Sequence, residues 1–228
     1  MEQKDIQLSC INGSGNANKT ECITSSSLML AAPDSLTIIG LNGEKYIGGK
    51  QEWYEDRWQR MSGCGPVVAS NLIWYMTREH GRIEYYLKLM HEMFTFVTPG
   101  KLGVNTSAIF SEGIVKYGLK NGLHFDPKIL DIAPALRKRP CIDTVREFIT
   151  GALQMDAPVA FLNLSNGSLD NLETWHWVTI IALDAESMHV EVCDYGKKVV
   201  MDMSEWLRTS RLGGALVYLM GYDVCSTS

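Results

Sequence analysis

Apolar positions along the chain keep one period up to about residue 155 and another after it. From Pro66, Val68, Leu72 and Met76 form one stripe with Ala69 and Ile73 beside it, which predicts a helix stopped by Gly81. Ile83, Tyr86, Leu87, Met90 and Phe94 repeat the spacing over about 82–96, ending before Pro99-Gly100. A third helix is predicted over 106–120, capped by Thr106 or Ser107, with Ile109, Phe110, Ile114 and Tyr117 inward and Asn121-Gly122 as terminator. These three make a helical half. An irregular stretch is expected around Phe125-Asp126-Pro127, then a fourth helix over about 142–153 carrying Val145, Phe148, Ile149 and Ala152.

Short strand-like runs follow: 159–162, 175–183, 188–193, 198–201 and 215–220, with a capped helical turn at Ser204-Glu205-Trp206-Leu207. Helices first and antiparallel strands second predict an α+β fold. Ahead of the helices, Leu36-Thr37-Ile38-Ile39 and Lys45-Tyr46-Ile47 flank Asn42-Gly43, the dipeptide of a type I′ hairpin turn. Residues 48–59 have no period and read as a loop across a groove. The expected organisation is a polar N-terminal segment over 1–34, loose or an arm, and one domain over 35–228.

Composition narrows the partners. The net charge is −5 and the basic residues are scattered apart from Arg137-Lys138-Arg139, which argues against nucleic acid. No apolar run reaches the length of a membrane span, and Met1-Glu2-Gln3-Lys4-Asp5 lacks the order of a signal peptide, so a cytoplasmic protein with no membrane partner is expected. Six cysteines without a C-x-x-C pair argue against a metal site. Cys10 and Cys22 could close a loop; no cofactor is expected.

The candidate chemistry sits in Ser62-Gly63-Cys64-Gly65-Pro66, at the start of the first helix. A thiol there meets unpaired N–H groups and the positive end of the helix dipole, which favour thiolate. Taken alone, such a cysteine is more often a buried structural residue. Partners change the balance. With the 175–193 hairpin turning between Ala185 and Glu186, His176 lies opposite Asp194 or Tyr195. Val178, Ile180, Ala182, Met188, Val190 and Val192 then share one core face. A carboxylate beside an imidazole fixes its tautomer, and that pair activates a cysteine nucleophile.

Ser62-Gly63-Cys64-Gly65-Pro66, Asp156-Ala157-Pro158-Val159, Trp175-His176-Trp177-Val178-Thr179-Ile180 and Val190-Glu191-Val192-Cys193-Asp194-Tyr195-Gly196 together resemble the papain-like cysteine peptidases. They are most similar to the bacterial branch related to bacteriocin-processing peptidases, over about residues 48–220. The resemblance implies a papain-like fold, with a helical half led by the nucleophile helix packed on a C-terminal antiparallel sheet. It implies Cys64 as nucleophile, His176 as general base and acid, Asp194 as orienting residue, and an upstream glutamine, Gln51 or Gln59, as oxyanion donor. The expected activity is cleavage of an amide bond in a peptide or amide substrate through a thioester. An acyltransferase or transglutaminase-like enzyme with the same triad is the alternative, as is a non-catalytic peptide-binding module.

Overall fold

The computed structural model of the chain describes residues 27–77 and 81–223. The remainder of the polar segment, with the Cys10–Cys22 expectation, lies outside the described residues. In chain order the elements are β1 (Ser27–Met29), β2 (Thr37–Ile39), β3 (Lys45–Ile47), α1 (Arg57–Ser62), α2 (Cys64–Met76), β4 (Gly81–Arg82), α3 (Ile83–Phe96) and α4 (Ser107–Lys120). They continue with β5 (Leu123–Ile132), α5 (Ile142–Gln154), β6 (Val159–Asn163), β7 (His176–Asp184), β8 (His189–Asp194), β9 (Lys197–Asp202), α6 (Met203–Thr209) and β10 (Gly214–Asp223). The protein mixes helix and sheet as an α+β fold, helices α1 to α4 preceding most of the sheet.

One antiparallel sheet runs in the order β5-β10-β6-β7-β8-β9, and β1 pairs with the far end of β7. The helices cover both faces. On one side α2, α3 and α4 pack Leu72, Met90, Phe110 and Ile114 against Ala160, Leu162, Trp177 and Val217. On the other, Val145 and Ile149 of α5 and Trp206 of α6 meet Phe161, Val178 and Ile180. Helix α2 lies between layers: every residue from Cys64 to Tyr75 is buried. A helix buried all round is apolar all round, which explains its blurred single stripe.

Several expectations change. The segment around Phe125-Asp126-Pro127 is not irregular but the middle of β5, where Pro127 faces Leu219. Strand β5 is the outermost in the sheet, the place where a proline's missing N–H costs nothing. The N-terminal boundary falls earlier than residue 35, since Ser27, Leu28 and Met29 pair with Asp184, Leu183 and Ala182, and Leu30 is buried. The stretch 48–59 holds helical turns, Gln51–Trp53 and the start of α1, whose N-cap Asp56 accepts the Gln59 N–H at 3.0 Å. Helix α2 stops at Met76, before Gly81, which starts β4.

The two hairpins also depart from the sequence reading. Between β2 and β3 the turn is not a two-residue type I′. Gly43 donates its N–H to Gly40 at 3.0 Å, and of Asn42 and Gly43 only the glycine has a positive φ, 77°. In the β7–β8 hairpin Asp184 faces His189, leaving four residues in the turn, where Asp184 accepts the Glu186 and Ser187 N–H groups at 3.0 and 3.4 Å. An irregularity follows between Ile180 and Ala182, so Ile180 faces Val192, Leu183 faces Val190, and Ala182 moves to the face of Glu191.

Candidate active site

Cys64 is the first residue of α2, with Gly63 as N-cap. The flanking glycines answer to space rather than to backbone angle. A Cβ on Gly63 would sit 2.6 Å from the Tyr54 ring, and one on Gly65 would sit 2.8 Å from Val104. Both approaches press the start of α2 between neighbouring loops. The thiol is 9 % exposed.

His176 opens β7 opposite Asn163 of β6. Its approach is anchored from both sides: Asn163 donates its side-chain N–H to the Glu173 carbonyl, and Asn171 donates to the Val200 carbonyl at 2.7 Å. Trp175, just before it, is held at φ 55°, and Tyr195, just after Asp194, at φ 47°. Left-handed backbone costs a bulky residue about 1–3 kcal/mol, and here it brackets a polar pair.

Thr179 faces Cys193 and Ile180 faces Val192, so the ladder sets Asp194 two positions from His176, not directly opposite as expected. Diagonal neighbours remain within side-chain reach. His176 Nε2 and Asp194 Oδ1 are 2.7 Å apart, with both side chains nearly buried. Cys64 lines the same pocket as the ring. Burial works against a charged ring, but the hydrogen bond to Asp194 and the neighbouring Cys64 side chain outweigh it and raise the His176 pKa from 6.5 to about 10. The ring is therefore an imidazolium at neutral pH.

Gln51 joins them. A small pocket of about 10 Å³ is lined by Gln51, Cys64, Asn71, His176, Asp194 and Tyr195, among others. Gln59 does not line it; it lies half-buried in α1. Gln51 is brought to the pocket through Asn71, a buried amide in α2. Asn71 accepts the Gly49 N–H at 2.9 Å and the Tyr86 hydroxyl, and donates to Thr179 at 2.9 Å. Gly48 turns at φ 72° and Gly49 lies flat on the Tyr86 ring, so 48–51 is fastened beside α2. Gln51 Oε1 is buried with no hydrogen-bond partner, an open acceptor in the pocket.

Sequence reasoning missed two further contributors. Tyr195 stacks on His176, centroids 5.3 Å apart and planes 14° off parallel, and donates its hydroxyl to Glu173 at 2.8 Å. Cys193 lines the same pocket, but burial pushes its thiol up to about 12, so it stays protonated and unreactive. The Asn71 signal was available, as a lone amide inside an apolar run. The Tyr195 contact depends on backbone angles no pattern reveals.

Among the described residues no group of three or more His, Cys, Asp or Glu side chains is placed to hold a metal ion, and no helix is long and apolar enough to cross a membrane. What fold and site define together is an α+β protein carrying a cysteine at the start of a buried helix and a hydrogen-bonded histidine–aspartate pair, all lining one pocket. No protein-family model matches the chain, and no curated protein matches it.

Proposed function

We propose that this protein is a papain-like thiol hydrolase that cleaves an amide bond of a peptide or amide substrate through a thioester acyl-enzyme. The observation that carries the reading is the helix-start thiol of Cys64 in one pocket with the His176 ring, whose Nε2 is 2.7 Å from the Asp194 carboxylate and whose pKa is raised by both neighbours. The ring's positive charge and the N-terminus of α2 both present positive potential to the Cys64 side chain.

Attack of Cys64 Sγ on the carbonyl carbon forms the C–S bond and moves negative charge to the carbonyl oxygen. The Cys64 backbone N–H and the Gln51 amide support that oxygen, a contribution of about 3–4 kcal/mol for one donor in comparable sites. The C–N bond then breaks as His176 gives its proton to the leaving amine. Neutral His176 next takes a proton from water, whose oxygen bonds to the thioester carbon; the C–S bond breaks, releasing the acid and returning Cys64 Sγ as thiolate beside the reprotonated ring. Asp194 orients the ring throughout.

Alkylation by iodoacetamide, mapped by mass spectrometry, tests this. Cys64 should label faster at pH 6–7 than Cys193 or a small-molecule thiol, and lose that advantage in His176→Ala. Labelling of Cys64 no faster than Cys193 rejects the reading. Incubating an acyl-peptide substrate with and without an added amine separates the outcomes: product formed only with amine replaces hydrolase by acyltransferase.

A further inference from the structure

Cys64 lines two cavities. Opposite the polar pocket, a larger one of about 370 Å³ is walled by Trp58, Met61, Leu102, Val104, Leu164 and Trp175, among others. Four of these are large apolar side chains left open: Trp58 is 45 % exposed, Met61 66 %, Leu102 64 % and Trp175 47 %. Apolar groups gathered round one concavity mark a binding site rather than scattered surface. The space holds on the order of a dozen waters at ~30 Å³ each, against walls that offer them few partners. Trp175 stands in it through its left-handed backbone, one residue before His176.

Charge narrows the occupant. Lys101 is the one charged residue in the lining, carried on a turn closed by Gly100 and Gly103, whose N–H groups each donate to the other's carbonyl at 3.1 and 2.9 Å. No carboxylate shares the lining, so a basic ligand group would meet repulsion without compensation. An acidic one would meet attraction. The cavity is continuous with the nucleophile, since Cys64 belongs to both.

Resting on the thiol-hydrolase reading, we propose that this cavity binds a bulky apolar side chain, aromatic or branched aliphatic, of the substrate residue beside the scissile amide, with an acidic neighbour placed against Lys101. Trp175 and Leu102 set the size it accepts.

Binding to the Cys64→Ala protein, followed by calorimetry and tryptophan fluorescence, tests this without any chemistry. The probes are N-acetyl-Glu-Phe-Gly-amide, N-acetyl-Glu-Gly-Gly-amide and N-acetyl-Lys-Phe-Gly-amide. The Glu-Phe peptide should bind about 10- to 100-fold tighter than Glu-Gly, the gain expected from burying one aromatic side chain. It should bind about threefold tighter than Lys-Phe at low salt. Leu102→Asn, on an exposed position, should cut the phenylalanine advantage, and Lys101→Ala should erase the charge preference. Equal affinities for the phenylalanine and glycine peptides overturn the assignment; a charge preference that survives Lys101→Ala overturns the role of Lys101. Iodoacetamide labelling of the wild type judges the thiol-hydrolase reading separately, so the two can fail independently.

Discussion

The His176–Asp194 bond should be visible in the pH dependence of stability, provided Cys64 is first removed so that its thiol does not titrate alongside. In Cys64→Ala the ring keeps its 2.7 Å partner and its burial. The shift from 6.5 to about 10 in the intact site corresponds to about 5 kcal/mol, with Asp194 the leading favourable contributor and Cys64 the other. One charge-assisted hydrogen bond is worth about 1.5–3 kcal/mol, which is the share assigned to Asp194. A ring whose folded pKa stands above its unfolded value contributes stability that is fully present below about 6.5 and is lost as pH rises through the folded pKa. Cys64→Ala should therefore lose about 1.5–3 kcal/mol, relative to a Cys64→Ala/Asp194→Asn control, between pH 6 and the raised pKa. In the control burial acts alone and depresses the ring, so its stability should rise with pH up to about 6.5 instead. Urea unfolding at half-unit pH steps, with the ring followed by NMR, measures both curves. Parallel curves would refute the claim that Asp194 holds the imidazolium.

Other expectations follow from the same geometry. Gln51→Ala should lower kcat by about 100-fold with little change in KM, as loss of one oxyanion donor does, while Gln59→Ala leaves both nearly unchanged; peptide hydrolysis rates compare them. Asn71→Leu leaves Thr179 and the Gly49 N–H without a buried partner and frees the segment that carries Gln51. It should cost about 2–3 kcal/mol in urea unfolding and reduce activity with it. Gly65→Val drives a side chain into Val104 and should cost about 1–3 kcal/mol of stability, with Cys64 alkylation slowed more than that of a surface thiol. Tyr195→Phe keeps the stack on His176 but drops the bond to Glu173, so its activity should lie between wild type and Tyr195→Ala, read from kcat at pH 7.

Local chemistry was legible in the amino-acid order. The helices over 83–96, 107–120 and 142–154 follow from apolar spacing and from caps such as Thr106, which accepts the Ile109 N–H at 3.2 Å. The β strands after residue 158 follow from short branched runs, because each depends on neighbours in sequence. The nucleophile candidate was readable for the same reason, as a cysteine between glycines at a helix start.

What depended on distant contacts was not. The strand through Pro127 needed an edge position, which only the sheet order supplies. The meeting of His176 with Asp194 was anticipated through a register that proved to be offset, because a four-residue turn and a bulge together move the ladder by one diagonal. Gln51 rather than Gln59 lines the pocket with Cys64, in a segment held by Asn71, whose partners Tyr86 and Thr179 come from a second helix and a strand. The residue types and periods determined which groups could do thiol chemistry; tertiary packing alone decided which of them share a pocket. Periodicity and helix caps report on near neighbours in sequence, whereas Cys64 and His176 are brought together from more than a hundred positions apart.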